Sequence, residues 1–128
     1  MEEKRRYRRL NRSFITKFRL SPDNNPPGSV NLPAKWDIVT IRNISGSGMA
    51  FIYHKSFVAG VVLEFEITIA SLHRLIKCLG VVCRVDPLIE AKPGSKIIPL
   101  YGIAVHYTDI TKEEQEAIDK VVEAFING

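Results

Sequence analysis

Strict alternation of apolar and polar side chains is the property that most limits what this chain can fold into. In residues 61–69 every odd position is apolar, whereas Glu64, Glu66 and Thr68 occupy three of the four even positions. Successive side chains of a β-strand point to opposite faces of a sheet. The segment is therefore predicted to be a strand with one face in a hydrophobic core.

Five other segments have the alternation or the residue types of strands, and turn-forming residues separate several of them. The predicted strands are Ser13–Leu20, Trp36–Ile44, Met49–Tyr53, Leu75–Val85 and Ile97–Tyr107. In the strand that begins at Leu75, the odd-numbered apolar residues share one face, opposite Arg74 and Arg84, and a loop is predicted from residue 87 to 94. Six strands with short connections favour a small antiparallel barrel.

The C-terminus has the period of a helix. Thr111 and Glu114 have the spacing of a capping box, in which each side chain accepts a hydrogen bond from the other residue's backbone N–H. One helical face would carry the apolar residues Ala117, Ile118, Val121, Val122 and Phe125. We expect this face to pack on the sheet, so the predicted fold is mainly β: a six-stranded antiparallel barrel with a C-terminal α-helix.

Length and composition are those of one domain. The chain has 128 residues, 45% of them hydrophobic, which is enough for one sizeable core. It has no apolar run of about eighteen residues and no signal-peptide pattern, so we expect no membrane span and a cytoplasmic location. The odd separation of Cys78 and Cys83 places them on opposite faces of one strand, and we expect two buried, reduced thiols.

Positive charge is concentrated at the N-terminus. Residues 1–19 carry eight basic and two acidic side chains, a net charge of +6, whereas the rest carries ten basic and twelve acidic ones, a net charge of −2. Residues 1–12 lack apolar periodicity and are predicted to be a flexible basic arm, followed by the barrel and its helix in residues 13–128. This distribution indicates recognition of an anion by the arm more than a nucleic-acid footprint over the whole surface.

Two short motifs carry the chemistry. The first is in the arm, where guanidinium groups can bond phosphate or a guanine edge and can stack on a purine. Its residues are Arg5, Arg6, Tyr7, Arg8 and Arg9. Taken alone, this cluster could be a solvated tail, a contact for a polyanion or a clamp for a small nucleotide.

The second motif is the turn between the second and third predicted strands, which reads Asn43-Ile44-Ser45-Gly46-Ser47-Gly48. The amide of Asn43 and the hydroxyl of Ser45 lie two residues apart on the same side of the strand, where they could bond to a base edge. The two glycines can adopt positive φ and leave backbone N–H groups open. Taken alone, the turn could equally be a plain hairpin.

Together and in this order, the two motifs resemble the PilZ domain, whose signature is R-x-x-x-R followed by [D/N]-x-S-x-x-G. The usual ligand of that family is the bacterial second messenger cyclic di-GMP. Residues 80–85, 101–105 and 109–111 also resemble family segments, so the resemblance extends over almost the whole chain. It implies a barrel of the PilZ-like, split-barrel type, with cyclic di-GMP as ligand and no cofactor.

The resemblance assigns Arg5 and Arg9 to the two positions of R-x-x-x-R, with Arg6 and Arg8 between them as helpers. In the family these arginines hold ligand phosphates and stack on or bond to guanines. Arg8 and Arg12 also satisfy the spacing, so a register shifted by three residues stays open.

For the second motif, the resemblance assigns Asn43, Ser45 and Gly48 to the [D/N]-x-S-x-x-G positions. In the family the first two bond to a guanine, and the glycine lets the backbone come close to the ligand.

The expected function is that of a non-enzymatic cyclic di-GMP receptor, in which the ligand orders the arm and changes the surface offered to an unidentified protein partner. The receptor could be a monomer or a ligand-dependent dimer.

One alternative is a small barrel that binds single-stranded nucleic acid, which the net acidic body disfavours; another is a protein-interaction adaptor that binds no nucleotide. His54, His73 and His106 are isolated, with no metal-ligand spacing, which argues against an enzyme.

Overall fold

The structure is a computed structural model that describes residues 9–22 and 35–127, without the side chains of residues 125–127. Six strands and one long helix make up the body of the protein. The strands are β1 (Phe14–Leu20), β2 (Asp37–Ile44), β3 (Gly48–Tyr53), β4 (Val62–Ile69), β5 (Arg74–Ile89) and β6 (Leu100–Tyr107), and the helix is α1 (Lys112–Asn127). Within the described residues, no helix combines the length and the apolar content that crossing a membrane requires.

The strands form a closed barrel in the order β1-β2-β3-β6-β5-β4, and every neighbouring pair is antiparallel. Closure leaves no unpaired strand edge, so each strand has a hydrogen-bonded neighbour on both sides. The predicted fold class, a six-stranded antiparallel barrel with a C-terminal helix, is confirmed.

The barrel interior is filled by aromatic and branched side chains. The apolar face predicted for β4 lies inside, since Leu63, Phe65 and Ile67 are fully or almost fully buried. The rings of Phe18 and Phe51 have centroids 5.2 Å apart, and those of Phe51 and Phe65 are 6.0 Å apart. Full burial of each such side chain contributes about 1.5–3 kcal/mol, so this cluster is a main source of stability.

From Leu75 to Val82 the inward face of β5 is the opposite of the one predicted. The bulge between Val82 and Arg84 then returns Val85 to the predicted inward position. Ile76, Cys78 and Val82 are buried, whereas Leu75 is 48% exposed. Cys78 pairs with the inward-facing Phe65 of β4, and residues directly opposite each other in a sheet share a face. The prediction was wrong because aliphatic residues occupy both faces of this strand, so alternation alone could not choose between them.

The two cysteines are free and lie on opposite sides of β5, as predicted. Burial raises the pKa of the Cys78 thiol to about 12, so this thiol is protonated at neutral pH. Cys83 is exposed, which corrects the prediction that both thiols are buried. The same strand continues to Ile89, past the predicted end at Val85 and into the segment predicted to be a loop.

The helix begins with the predicted capping box. The backbone N–H of Glu114 donates to Oγ1 of Thr111 at 3.1 Å, and the N–H of Thr111 donates to Oε1 of Glu114 at 3.0 Å. Ile118 is fully buried in the core, and Val121 and Val122 pack against it. The predicted apolar face therefore covers one part of the barrel, although the side chain of Phe125 lies outside the described residues.

The end of the predicted arm is attached to the barrel. Residues 9–13 are helical, and Leu10 is only 4% exposed within the core. The side-chain amide of Asn11 donates to the carbonyl oxygen of Ile41 at 3.0 Å and accepts from the N–H of Ile41 at 2.7 Å. Residues 9–12 thus belong to the folded body, contrary to the expectation of a flexible arm up to residue 12. Residues 1–8 of that arm lie outside the described residues.

Replacement of Thr16 by valine should stabilise the barrel. Thr16 is fully buried, and its hydroxyl oxygen has no hydrogen-bond partner among the residues that the structure describes. Leaving a buried hydroxyl unpaired costs about 1–3 kcal/mol, and valine has nearly the same shape and suits a strand. We expect Thr16→Val to raise the free energy of unfolding in urea by about 1 kcal/mol. A decrease would indicate that the hydroxyl has a favourable interaction.

Candidate functional site

The second sequence motif forms the connection between β2 and β3, and we call residues 43–48 the N-x-S-x-x-G loop. Ile44 pairs with Met49 across the two strands, and both side chains are buried. These two residues hold the loop to the core, while Asn43, Ser45 and Ser47 are exposed. The polar groups of the motif are therefore presented to solvent from a fixed base.

A β-bulge sets the orientation of Asn43. The pairing of β2 with β3 shifts between Ile41 and Asn43, and two residues separate the buried Ile41 from the buried Ile44. Regular alternation would leave only one residue between two inward-facing positions. The bulge therefore brings both Arg42 and Asn43 to the outer surface of the barrel.

A row of small residues extends from Asn43 across the outer surface. Asn43 lies opposite Ala50 on β3, Ala50 lies opposite Ala104 on β6, and Ala104 lies opposite Arg84 on β5. Four neighbouring strands extend over about 14 Å at the usual strand spacing. The two alanines form a low floor between an amide at one end and a guanidinium at the other, a surface on which a flat base could rest.

Arg42 is a cation that sequence analysis did not select. It is half-buried, and a Cβ at Gly102 would come within 3.1 Å of its Nη1 atom, so the guanidinium lies across the surface of β6. Its guanidinium forms no hydrogen bond or ion pair with any residue in the described ranges. Its position depends on the bulge, for which the sequence has no local signal.

The loop also has internal contacts. The backbone N–H of Ser45 donates to the carbonyl oxygen of Gly48 at 2.9 Å, which closes the turn. The hydroxyl oxygens of Ser45 and Ser47 are 3.0 Å apart. The carbonyl oxygen of Ser47 accepts from the N–H of Tyr107 at 3.0 Å, which ties the loop to the end of β6.

The glycines serve close packing and not left-handed backbone. Positive φ occurs at Gly60 and Gly94 among the described glycines, and neither Gly46 nor Gly48 uses this freedom. A Cβ at Gly48 would overlap the carbonyl oxygen of Val105. The sequence suggested an open N–H at Gly46. In the structure this N–H instead donates to the carboxylate of Asp119 at 2.8 Å.

The structure describes one of the four arginines assigned to ligand binding. Arg9 is exposed in the helical segment 9–13, as is Arg12 of the alternative register. Asn11, two residues after Arg9, bonds to the backbone of Ile41, two residues before Asn43. These bonds attach the segment that carries Arg9 to the strand that carries Asn43. The other three predicted binding residues, Arg5, Arg6 and Arg8, lie outside the described residues.

Comparison with known proteins identifies the fold family. The family model described as PilZ domain matches residues 3–124. No curated protein sequence matches this chain. Among solved structures, the chain is similar to the inhibitor of motility MotI/DgrA of Bacillus subtilis, with 18% identity, a TM-score of 0.60 and coverage of 89% of this chain and 47% of that one.

The chain is also similar to MrkH of K. pneumonia in its apo state, with 15% identity, a TM-score of 0.63 and coverage of 90% of this chain and 47% of that one. The chain thus spans a little under half the length of both structures, and at these identities the likeness is one of fold. The family match extends over nearly the whole chain. This chain belongs to the PilZ domain family.

Proposed function

We propose that this protein is a cyclic di-GMP receptor that binds its ligand between the N-terminal arginines and the N-x-S-x-x-G loop. The observation that carries the proposal is the pair of hydrogen bonds between Asn11 and Ile41. These bonds attach the chain next to Arg9 to β2, two residues before Asn43. A cluster of cations together with a polar loop suits a ligand that has both phosphates and purine edges.

Each motif has a defined part in this proposal. Arg5 and Arg9 hold phosphates or stack on guanines, and Arg6 and Arg8 assist them. Asn43 and Ser45 bond to the edge of one guanine; both are exposed, and the bulge turns the first outwards.

The alanine floor supports the same ligand. Ala50 and Ala104 leave room over the sheet for a flat ring, and Arg42 supplies a further positive charge beside Asn43. The proposed ligand carries two phosphates, so a cation that has no acidic partner among the described residues favours its binding.

The proposed signal is a change of surface. Binding would order the arginine arm against the barrel and so alter what a downstream protein contacts. The protein in this proposal is not an enzyme, acts as a monomer or a ligand-dependent dimer, and works in the cytoplasm, where its second messenger is made and cysteines stay reduced.

The described residues give less support to a barrel that binds single-stranded nucleic acid. Such barrels stack bases on exposed aromatic rings. Here Phe14, Phe18, Phe51 and Phe65 are buried, and the outer row beside Asn43 is built from alanines. An adaptor that binds no nucleotide would not need the segment with Arg9 to be attached to the strand that carries Asn43.

Isothermal titration calorimetry of the purified protein tests the proposal, with cyclic di-GMP as ligand and with GTP and a short single-stranded oligonucleotide as controls. We expect saturable binding of cyclic di-GMP, with an affinity in the micromolar range or tighter, and no binding of either control. Binding of the oligonucleotide alone, weakening steeply with salt, would favour the nucleic-acid class instead. Trypsin cleavage after the arm arginines should slow when ligand is bound, and equal rates would contradict the ordering step.

A further inference from the structure

Helix α1 contacts the N-x-S-x-x-G loop directly. Asp119 lies at the middle of the helix, and its carboxylate accepts a hydrogen bond from the N–H of Gly46 at 2.8 Å. Gly46 itself is buried. A Cβ at this position would come within 2.7 Å of both Oδ2 of Asp119 and the carbonyl oxygen of Gln115. The loop thus fits against the side chain and the backbone of the helix with no space for a larger residue.

The Asp119 carboxylate has no competing hydrogen-bond or ion-pair partner in residues 9–22 and 35–127. Among the residues that the structure describes, it forms no ion pair, and its hydrogen bond is to Gly46. A carboxylate that accepts from a backbone N–H makes a charge-assisted bond, which is stronger than a neutral one. The carboxylate therefore serves the loop and not a neighbouring lysine or arginine.

The loop is held on three sides. Its own turn is closed by the bond from Ser45 to Gly48, β6 holds Ser47 through the N–H of Tyr107, and α1 holds Gly46 through Asp119. Gly46 follows Ser45 directly, so the tether from the helix fixes the peptide beside that side chain. Without it, this peptide could rotate and carry the Ser45 hydroxyl away from a bound guanine.

We propose that Asp119 is a positioning residue for the ligand-binding loop and that it couples occupancy of the loop to the docking of α1. The coupling to ligand rests on the proposed function, whereas the tether is a property of the chain without ligand. Coupling is reciprocal, so a ligand that favours the tethered loop also favours the docked helix. Helix α1 is then one of the surfaces that a partner meets differently in the free and bound states.

Three variants test this proposal: Asp119→Ala removes the acceptor, Asp119→Asn keeps an acceptor oxygen, and Glu116→Ala removes an exposed acid from the same helix without touching the loop. The first readout is amide hydrogen exchange at Gly46 by NMR, measured without ligand. The second is calorimetric affinity for cyclic di-GMP. Circular dichroism at the titration temperature checks that each variant is folded.

We expect Asp119→Ala to speed exchange at Gly46 and to weaken cyclic di-GMP binding about tenfold, because the ligand must then order the released loop. Asp119→Asn should restore most of both properties, and Glu116→Ala should match the parent protein. Unchanged exchange in Asp119→Ala would overturn the tether. Faster exchange with unchanged affinity would overturn the positioning role, as would an equal loss of affinity in Glu116→Ala. If the parent protein did not bind cyclic di-GMP, the proposed function would fail, and the exchange measurement would still decide the tether.

Discussion

The Gly48→Ala protein is expected to lose about 3 kcal/mol of unfolding free energy in the absence of any ligand, the upper end of the usual cost of overpacking. The added Cβ would overlap the carbonyl oxygen of Val105. That oxygen belongs to the backbone of β6, which pairs with β3 along its length, so it cannot move aside as a side chain would. The two strands would have to separate at this point. Urea denaturation followed by circular dichroism measures the effect.

Ser47→Ala is the matched control, because Ser47 is the adjacent residue of the same loop and is exposed. Its free energy of unfolding should stay within about 0.5 kcal/mol of the parent value. If Gly48→Ala were as stable as this control, the close approach of β3 to β6 would be unimportant. A large loss without ligand would show that the barrel itself requires the last glycine of the motif, apart from any role in binding.

The Arg9→Ala protein is expected to bind cyclic di-GMP about ten- to a hundredfold more weakly than the parent protein, with little change in stability. A charge-assisted hydrogen bond contributes about 1.5–3 kcal/mol, and about 1.4 kcal/mol corresponds to a tenfold change in affinity. Arg9 is exposed, so its removal should leave the core intact. Isothermal titration gives the affinity, and a thermal melt gives the stability.

Arg12→Ala is the control for Arg9→Ala and also decides the register of R-x-x-x-R. Arg12 lies in the same helical segment and is also exposed. If Arg5 and Arg9 form the motif, Arg12→Ala should bind almost as tightly as the parent protein. The reverse result, with Arg12→Ala weak and Arg9→Ala unaffected, would assign the motif to Arg8 and Arg12. Full affinity in both variants would contradict the arginine clamp.

Some local features could be predicted because neighbouring residues encode them. The inward face of β4 follows from alternation, and the capping box of α1 follows from the spacing of Thr111 and Glu114. Each depends on residues within a few positions of one another. The inward face of β5 from Leu75 to Val82 was predicted wrongly, since its two faces are both rich in aliphatic residues and the choice depends on pairing with β4.

The sequence by itself determined the strand count, the C-terminal helix and the two motifs, because these depend on residue types and short spacings. Only the tertiary structure decided how the motifs are presented. The bulge that turns Asn43 outwards, the attachment of Asn11 to Ile41 and the tether of Gly46 to Asp119 join residues on different elements. The two ends of that tether are 73 positions apart, and their contact depends on how the helix packs on the closed barrel. A spacing along the chain cannot encode such a contact, since many packings satisfy the same local pattern.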